Sequence, residues 1–266
     1  MDTQLALLFD VGNTNIKICL ASREKLFSSM VLPSDHTETP DSIGLKILEI
    51  CRFFNVQPHH LRAWVISSVV PPMDQMLARA AQKFFQCPVH FVPRDIPLGL
   101  ENRYANPDEV GADRLVAGYA ARRMFPARSM IVVDFGTATT FDCLRDNAYL
   151  GGLICPGILS SVQALGSKTA KLPRISLDLE SDIIDFGTST RQSLNQGVLF
   201  GFAAMMDGLC DRLKRRLEDP WTKVVATGGF AARLAPITSC IDHHQPDLLM
   251  QGLRMAYFSR TGQPSS

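Results

Sequence analysis

A chain of 266 residues with 46% hydrophobic and 20% charged side chains is long enough for two domains with their own cores, and too apolar to be disordered. Its net charge of +1 gives no bulk attraction to nucleic acid or to an anionic membrane surface. Seven scattered cysteines without a CxxC, no apolar run near the roughly 18 residues of a membrane helix, and an amino terminus without a basic leader lead us to expect a reduced, cytoplasmic protein.

In chain order, Leu5 to Phe9 is an unbroken apolar run, as expected of a strand buried on both faces. Asp10-Val11-Gly12-Asn13-Thr14 interrupts it, and a second strand follows over Ile16 to Leu20, just beyond Asn15 and with Lys17 inside it. Helical spacing predicts a helix over 45–54, a strand over 62–73 stopped by Pro71 and Pro72, a helix over 74–85 and a strand over 88–92. Such alternation gives a mixed or parallel sheet. From 101 the chain reads as loop, then from about Asp113 as an amphipathic helix with Leu115, Val116, Tyr119 and Ala120 inward. Asp113 falls at or near that helix's N-terminus, where capping is the ordinary use of an aspartate.

Residues 130–144, MIVVDFGTATTFDCL, repeat the layout of the opening stretch. Apolar Ile131 to Val133 lead to Asp134, then Gly136 and the hydroxyls of Thr137, Thr139 and Thr140, 124 positions after Asp10. Residues 197–217 form a helix, apolar at its start and basic at its end, in which Met205 and Met206 either fill the core or line an interface. Val224 to Ala226 are a short strand, followed by Gly228-Gly229 and a helix near Phe230. The pairs His59-His60 and His243-His244 read as exposed loop residues, and Cys143 and Cys155 as core. Residues 167–186 and those after Ala256 carry no usable motif.

Two glycine turns, each entered by a buried strand and an aspartate, imply a duplicated α/β fold, with domains at 1–125 and 126–266 and both turns facing one cleft. Glycine lets backbone N–H groups approach phosphate oxygens, and neighbouring hydroxyls add donors. A carboxylate beside phosphate requires a cation between them, most simply hydrated magnesium. Two ordinary hairpin turns would show the same residue types. No Walker or Rossmann glycine signature is present.

The paired turns resemble those of the superfamily of acetate and sugar kinases, heat-shock chaperones and actin, whose duplicated actin-like, ribonuclease H-like domains bind nucleotide; KVVATGGFAARL (223–234) would be its adenosine motif. More specifically, RYANPDEVGADR followed by DFGTATTFD closely resembles type III pantothenate kinase. ISSVVPP, GGLICPGI, GTSTRQSLNQG and ATGG extend the likeness in the family's order over nearly the whole chain. The resemblance implies ATP-dependent phosphorylation of pantothenate, the first step of coenzyme A synthesis, by a bacterial homodimer requiring magnesium and a monovalent cation (potassium or ammonium). It implies that Asp10, Val11, Gly12, Asn13, Thr14, Asn15, Ile16 and Lys17, with Thr137, Gly228 and Gly229, bind ATP. By the same resemblance Asp134 binds the monovalent cation, and Asp113 is the general base. Tyr104, Gly111, Ala112, Asp113, Arg114 and Thr190 would hold pantothenate. Asp142 matches a recurrent family position of unassigned role. The competing readings are a kinase of the same superfamily acting on a sugar or other small hydroxyl substrate, a polyphosphate-cleaving enzyme of the same fold, and a nucleotide-binding regulator without turnover.

Overall fold

The computed structural model describes residues 4–167, 177–179 and 181–260, so part of the motif-poor 167–186 stretch and the end of the chain lie outside it. The chain divides into two units: one takes in the chain to Leu100, Ala105–Arg123 and the carboxy-terminal helix, the other Glu101–Tyr104 and Met124–Asp247.

The first unit opens with strands β1 (Leu5–Val11), β2 (Asn15–Ala21) and β3 (Leu26–Pro33), then helix α1 (Pro40–Phe53), β4 (Leu61–Ser68), helix α2 (Pro71–Phe84) and β5 (Val89–Phe91). Its sheet runs β3-β2-β1-β4-β5, antiparallel across β1, β2 and β3 and parallel across β1, β4 and β5. Alternation of side chains splits β1 between two cores. Leu7, Phe9 and Val11 join Trp64 and Ile66 of β4 beneath α1 and α2. Ala6 and Leu8 join Ala63 and Val65 beneath α3 (Ala112–Met124) and α7 (Leu248–Arg260), through Val116, Tyr119, Leu249 and Leu253.

Both early helices start before their apolar periodicity does. α1 begins at Pro40 rather than 45, because Thr39 accepts the N–H of Ser42 while Ser42 caps back on Thr39, a reciprocal cap reinforced by proline at the first position. α2 begins at Pro71: the two prolines that end the strand also open the helix, whose first N–H groups lack intrahelical partners anyway.

The second unit contains β6 (Glu101–Asn102), β7 (Ser129–Phe135), β8 (Ala138–Arg145), β9 (Ala148–Pro156), α4 (Ile158–Ser167), α5 (Thr190–Leu217), β10 (Lys223–Gly228), α6 (Ala231–Leu234) and β11 (His243–His244). Its sheet order is β11-β10-β7-β8-β9-β6. Antiparallel β7, β8 and β9 followed by parallel β10 and β11 repeat the arrangement of β1, β2, β3, β4 and β5, so the duplication read from the turns extends to whole sheets. The helix expected over 197–217 starts at Thr190, where Ser189 accepts the Gln192 N–H. The helix expected near Phe230 is a single turn that passes into a 3₁₀ turn at Pro236. His243 is half-buried and stacked on Phe125 at 4.3 Å, which corrects its reading as an exposed loop residue. Met206 and Cys143 are core, whereas Cys155 is only half-buried. No disulfide joins the cysteines, and burial pushes the Cys51 and Cys87 thiols up to about 12 and about 11. Among the described residues no helix is long and apolar enough to cross a membrane.

A simple split at 125/126 misplaces the last helix. α7 returns to the first unit because Leu249, Met250, Leu253, Ala256 and Phe258 form an apolar face against β1, β4 and α3. The crossing is close: a Cβ on Gly252 would press on the Val116 carbonyl oxygen at 2.6 Å and on its side chain. Gly252→Ala gains about 1 kcal/mol of helix propensity but meets backbone that cannot turn aside, a misfit that typically costs 1–3 kcal/mol. Chemical denaturation should therefore show a net loss of stability for this variant.

Candidate active site

The Asp10 hairpin is a closed turn. The Gly12 N–H donates to the Asn15 carbonyl at 3.0 Å, and the register sets Asp10 directly opposite Lys17. From beyond β3, Ser34 clamps it twice: its N–H donates to the Thr14 carbonyl at 2.9 Å and its hydroxyl to the Gly12 carbonyl at 2.5 Å. Asn13, Thr14 and Asn15 are exposed and Val11 and Ile16 buried, so the turn presents a polar rim on an apolar base.

The chain after β4 ties this turn to Asp113. The Val69 N–H donates to the Val11 carbonyl at 3.0 Å, and Val69 in turn lies against Gly111. A side chain at Gly111 would meet the Asp113 carboxylate and, at 3.3 Å, Val69. Asp113 is the second residue of α3, after Ala112, and not its cap. Its Oδ1 accepts the Arg114 N–H at 2.8 Å. Burial pushes its carboxyl above the ordinary range; that N–H and the positive charge of Arg114 pull the other way and do not cancel it. Arg114, which sequence habit places on the surface, is buried at 8% exposure. The first unit thus brings Asp10, Lys17, Gly111, Asp113 and Arg114 to one end of its sheet.

The second unit repeats the device. In the β7–β8 turn the Gly136 N–H donates to the Ala138 carbonyl at 3.1 Å, exposing Thr137. Beyond β9 the Ser160 hydroxyl donates to the Thr137 carbonyl at 2.9 Å, the counterpart of Ser34 on Gly12. Ser160 lies in the first turn of α4, so a helix N-terminus, favourable to anions, abuts this turn. The Gly-Gly motif sits directly beside it: Thr227 pairs with Asp134, Gly228 with Phe135, and the Gly229 N–H donates to the Phe135 carbonyl at 3.1 Å. Gly228 has φ +89°, and any Cβ there would strike the Asp134 carboxylate, so this position requires glycine.

Tyr104 and Thr190 stand on other elements of this unit. Thr190 opens α5 and is exposed. Tyr104 packs its ring over Gly151 and 6.4 Å from the ring of Tyr149. Tyr149, fully buried, donates its hydroxyl to Asp142 at 2.7 Å, and Thr140 donates to the other oxygen at 3.3 Å. The position with no assigned role is thus a buried anchor behind Tyr104. Ser34 and Ser160 went unread in the sequence, because each reaches its turn from beyond a strand that only the fold brings back to it.

Among the described residues no cluster of three or more His, Cys, Asp or Glu side chains could cage a metal by itself. The Asp10 and Asp134 carboxylates, one at each strand end, fit a cation that takes its remaining ligands from phosphate and water, as magnesium does.

Comparison with known proteins accords with this geometry. A family model for type III pantothenate kinase matches residues 6–212. Proteins named type III pantothenate kinase are similar over almost their whole length. One from Nitratidesulfovibrio vulgaris is 55% identical over 97% of this chain and 98% of its own. Another from Dehalococcoides mccartyi is 37% identical over 93% and 95%. Among solved structures, a protein described as a Baf family transcriptional activator from Campylobacter jejuni matches with TM-score 0.59 at 20% identity, covering 97% of this chain and 100% of that one. One assigned as an N-acetylglucosamine kinase from Porphyromonas gingivalis matches with TM-score 0.52 at 12% identity, covering 96% and 99%. These two likenesses speak to the fold alone, which is that of duplicated actin-like domains.

The raised Asp113 pKa carries a stability prediction. Raised above its unfolded value, the carboxyl contributes fully below the ordinary carboxylate range, and that contribution is lost as pH rises through the folded value. Asp113→Asn removes a carboxyl whose charged form burial penalises, while the amide oxygen still accepts the Arg114 N–H. The variant should melt no lower than the parent at pH 7, and the two melting curves should converge as pH falls below about 4.

Proposed function

We propose a division of labour that starts from one premise: this chain belongs to the type III pantothenate kinase family. The reaction is phosphoryl transfer from ATP to pantothenate, giving 4′-phosphopantothenate and opening coenzyme A synthesis. The observation that carries the assignment of roles is the placement of Asp113 beside Gly111, which lies against Val69, the residue whose N–H bonds the Val11 carbonyl of the Asp10 turn; burial raises the Asp113 carboxyl.

Phosphoryl transfer asks for positioning and charge neutralisation more than for covalent help. The Asp10 to Lys17 hairpin offers backbone N–H groups, exposed hydroxyl and amide side chains and the Lys17 ammonium to the ATP phosphates. Thr137 with Gly228 and Gly229 takes the nucleotide on the second turn, where α4 adds the partial positive charge of its N-terminus. Asp10 would hold magnesium and Asp134 potassium or ammonium, whose positive charge would make phosphate beside carboxylate tolerable. The primary hydroxyl of pantothenate attacks the γ-phosphorus, the bond to the ADP oxygen breaks, and the hydroxyl proton passes to the Asp113 carboxylate. A carboxylate whose pKa burial raises is a better proton acceptor than an exposed one. The Arg114 guanidinium matches the carboxylate of pantothenate in charge and shape, while Tyr104 and Thr190 complete its contacts.

A homodimer is part of this reading. Exposed Ile183, Ile184 and Phe186, the last at 93%, form an apolar patch of the kind that a second copy covers. Near-neutral charge favours no nucleic-acid or membrane partner.

Purified protein with ATP and magnesium should release ADP only when pantothenate is added, with the 4′-phosphate as product. Glucose and N-acetylglucosamine should not replace it. Equal turnover of either sugar would reassign the substrate. Exchanging sodium for potassium or ammonium at constant ionic strength should raise the rate strongly; indifference would remove Asp134 from the cation role. Light scattering should give twice the mass of one chain, and a monomer at working concentration would reject the dimer.

A further inference from the structure

Besides Val69, the ISSVVPP segment places one further side chain, with no role so far, beside the reacting end of the first unit. Ser67 pairs in register with Asp10 on the parallel neighbour strand, and Lys17 flanks Asp10 on the other side. Directly paired residues share a face, so Lys17, Asp10 and Ser67 form one polar row at the edge of the face that α3 covers. Ser67 is fully buried, and its hydroxyl has no hydrogen-bond partner among the described residues. Buried hydroxyls are almost always bonded, because an unpaired one forfeits its hydration for nothing.

The duplicated half repeats the placement independently. Asp134 is flanked by Thr140 on β8 and by Thr227 on β10, the strand that corresponds to β4. Thr227 is also buried. Each half therefore sets a buried hydroxyl on the parallel strand beside its strand-end aspartate. A chance packing serine in one sheet does not explain a threonine at the corresponding place in the other.

We propose that Ser67 is a positioning residue for the Asp10 carboxylate, to which its hydroxyl donates when magnesium and ATP occupy the turn. The proposal deepens the reading of that turn as the phosphate site and rests on it. Neighbouring strands run roughly 4.8 Å apart, so a rotamer change of either side chain closes the bond. Ser67 leaves its donor unspent in the ligand-free protein and gains a charged acceptor on binding, which fixes the carboxylate toward the cation. The neighbouring Ser68 serves differently, since its oxygen already accepts the Val70 N–H at 3.1 Å and shapes the entry to α2.

The two roles separate in one experiment. Thermal melting and nucleotide titration are run on wild type, Ser67→Ala, Ser67→Cys and Ser68→Ala, with a non-hydrolysable ATP analogue and magnesium. Ser67→Ala should melt at the wild-type temperature or above it when ligand-free, because an unsatisfied hydroxyl has been removed. Its affinity for the magnesium–nucleotide complex should fall about ten-fold or more, as for loss of a bond to a charged group, with the KM for pantothenate unchanged. Ser67→Cys, a weak donor of similar size, should lose affinity likewise, whereas Ser68→Ala should lower the melting temperature. Unchanged nucleotide affinity in both Ser67 variants would overturn the proposal and leave the phosphate-site reading standing. Absence of magnesium-dependent nucleotide binding in the wild type would overturn both.

Discussion

A carboxylate at the carboxyl end of a buried strand is the constraint around which this protein is organised. Leu7, Leu8 and Phe9 before Asp10, and Ile131, Val132 and Val133 before Asp134, are fully buried. Burying such a side chain is worth about 1.5–3 kcal/mol over leaving it exposed. The strands are thereby fixed in register, and the aspartates that follow are held at the sheet edge whether or not their charge is comfortable there. Each is followed by a glycine turn that exposes backbone donors. Each half therefore sets a carboxylate and a set of exposed backbone and side-chain donors at the same sheet end, the pairing on which the proposed cation and phosphate site rests.

The same rigidity places Asp113, the proposed proton acceptor. Val116 and Tyr119 pack α3 on the first sheet, and α7 closes over them with Gly252 against the Val116 backbone. Asp113, one turn back from Val116, is half-buried there, and that burial keeps its carboxyl raised. Stability and chemistry pull apart at this residue and at Ser67: each carries polar character that the empty fold would hold more easily without. Sites that bind charge commonly bear such a cost.

The sequence was informative where the physics is local. Unbroken apolar runs gave β1, β4, β7 and β10, and the repeated Asp-x-Gly gave both turns. Helix starts were less legible, because they are fixed by caps outside the apolar repeat: Thr39 for α1, the prolines for α2, Ser189 for α5. The return of α7 to the first unit, and the clamps of Ser34 and Ser160 on their turns, depend on which strands become neighbours, which no short window contains. Asp142 stood out in the sequence without a role; only pairing β8 with β9 brings the Tyr149 hydroxyl to it and explains its burial.

The central claim is that Asp113 accepts the proton of the attacking hydroxyl. The most direct test is pantothenate-dependent turnover of Asp113→Asn, with magnesium–ATP affinity measured on the same preparation. Loss of a general base typically lowers the rate by roughly 10²–10⁴-fold, and the account predicts a fall of that size with nucleotide affinity retained. Turnover near the wild-type rate in a folded, ATP-binding variant would contradict it and leave Asp113 as no more than a residue of the first turn of α3.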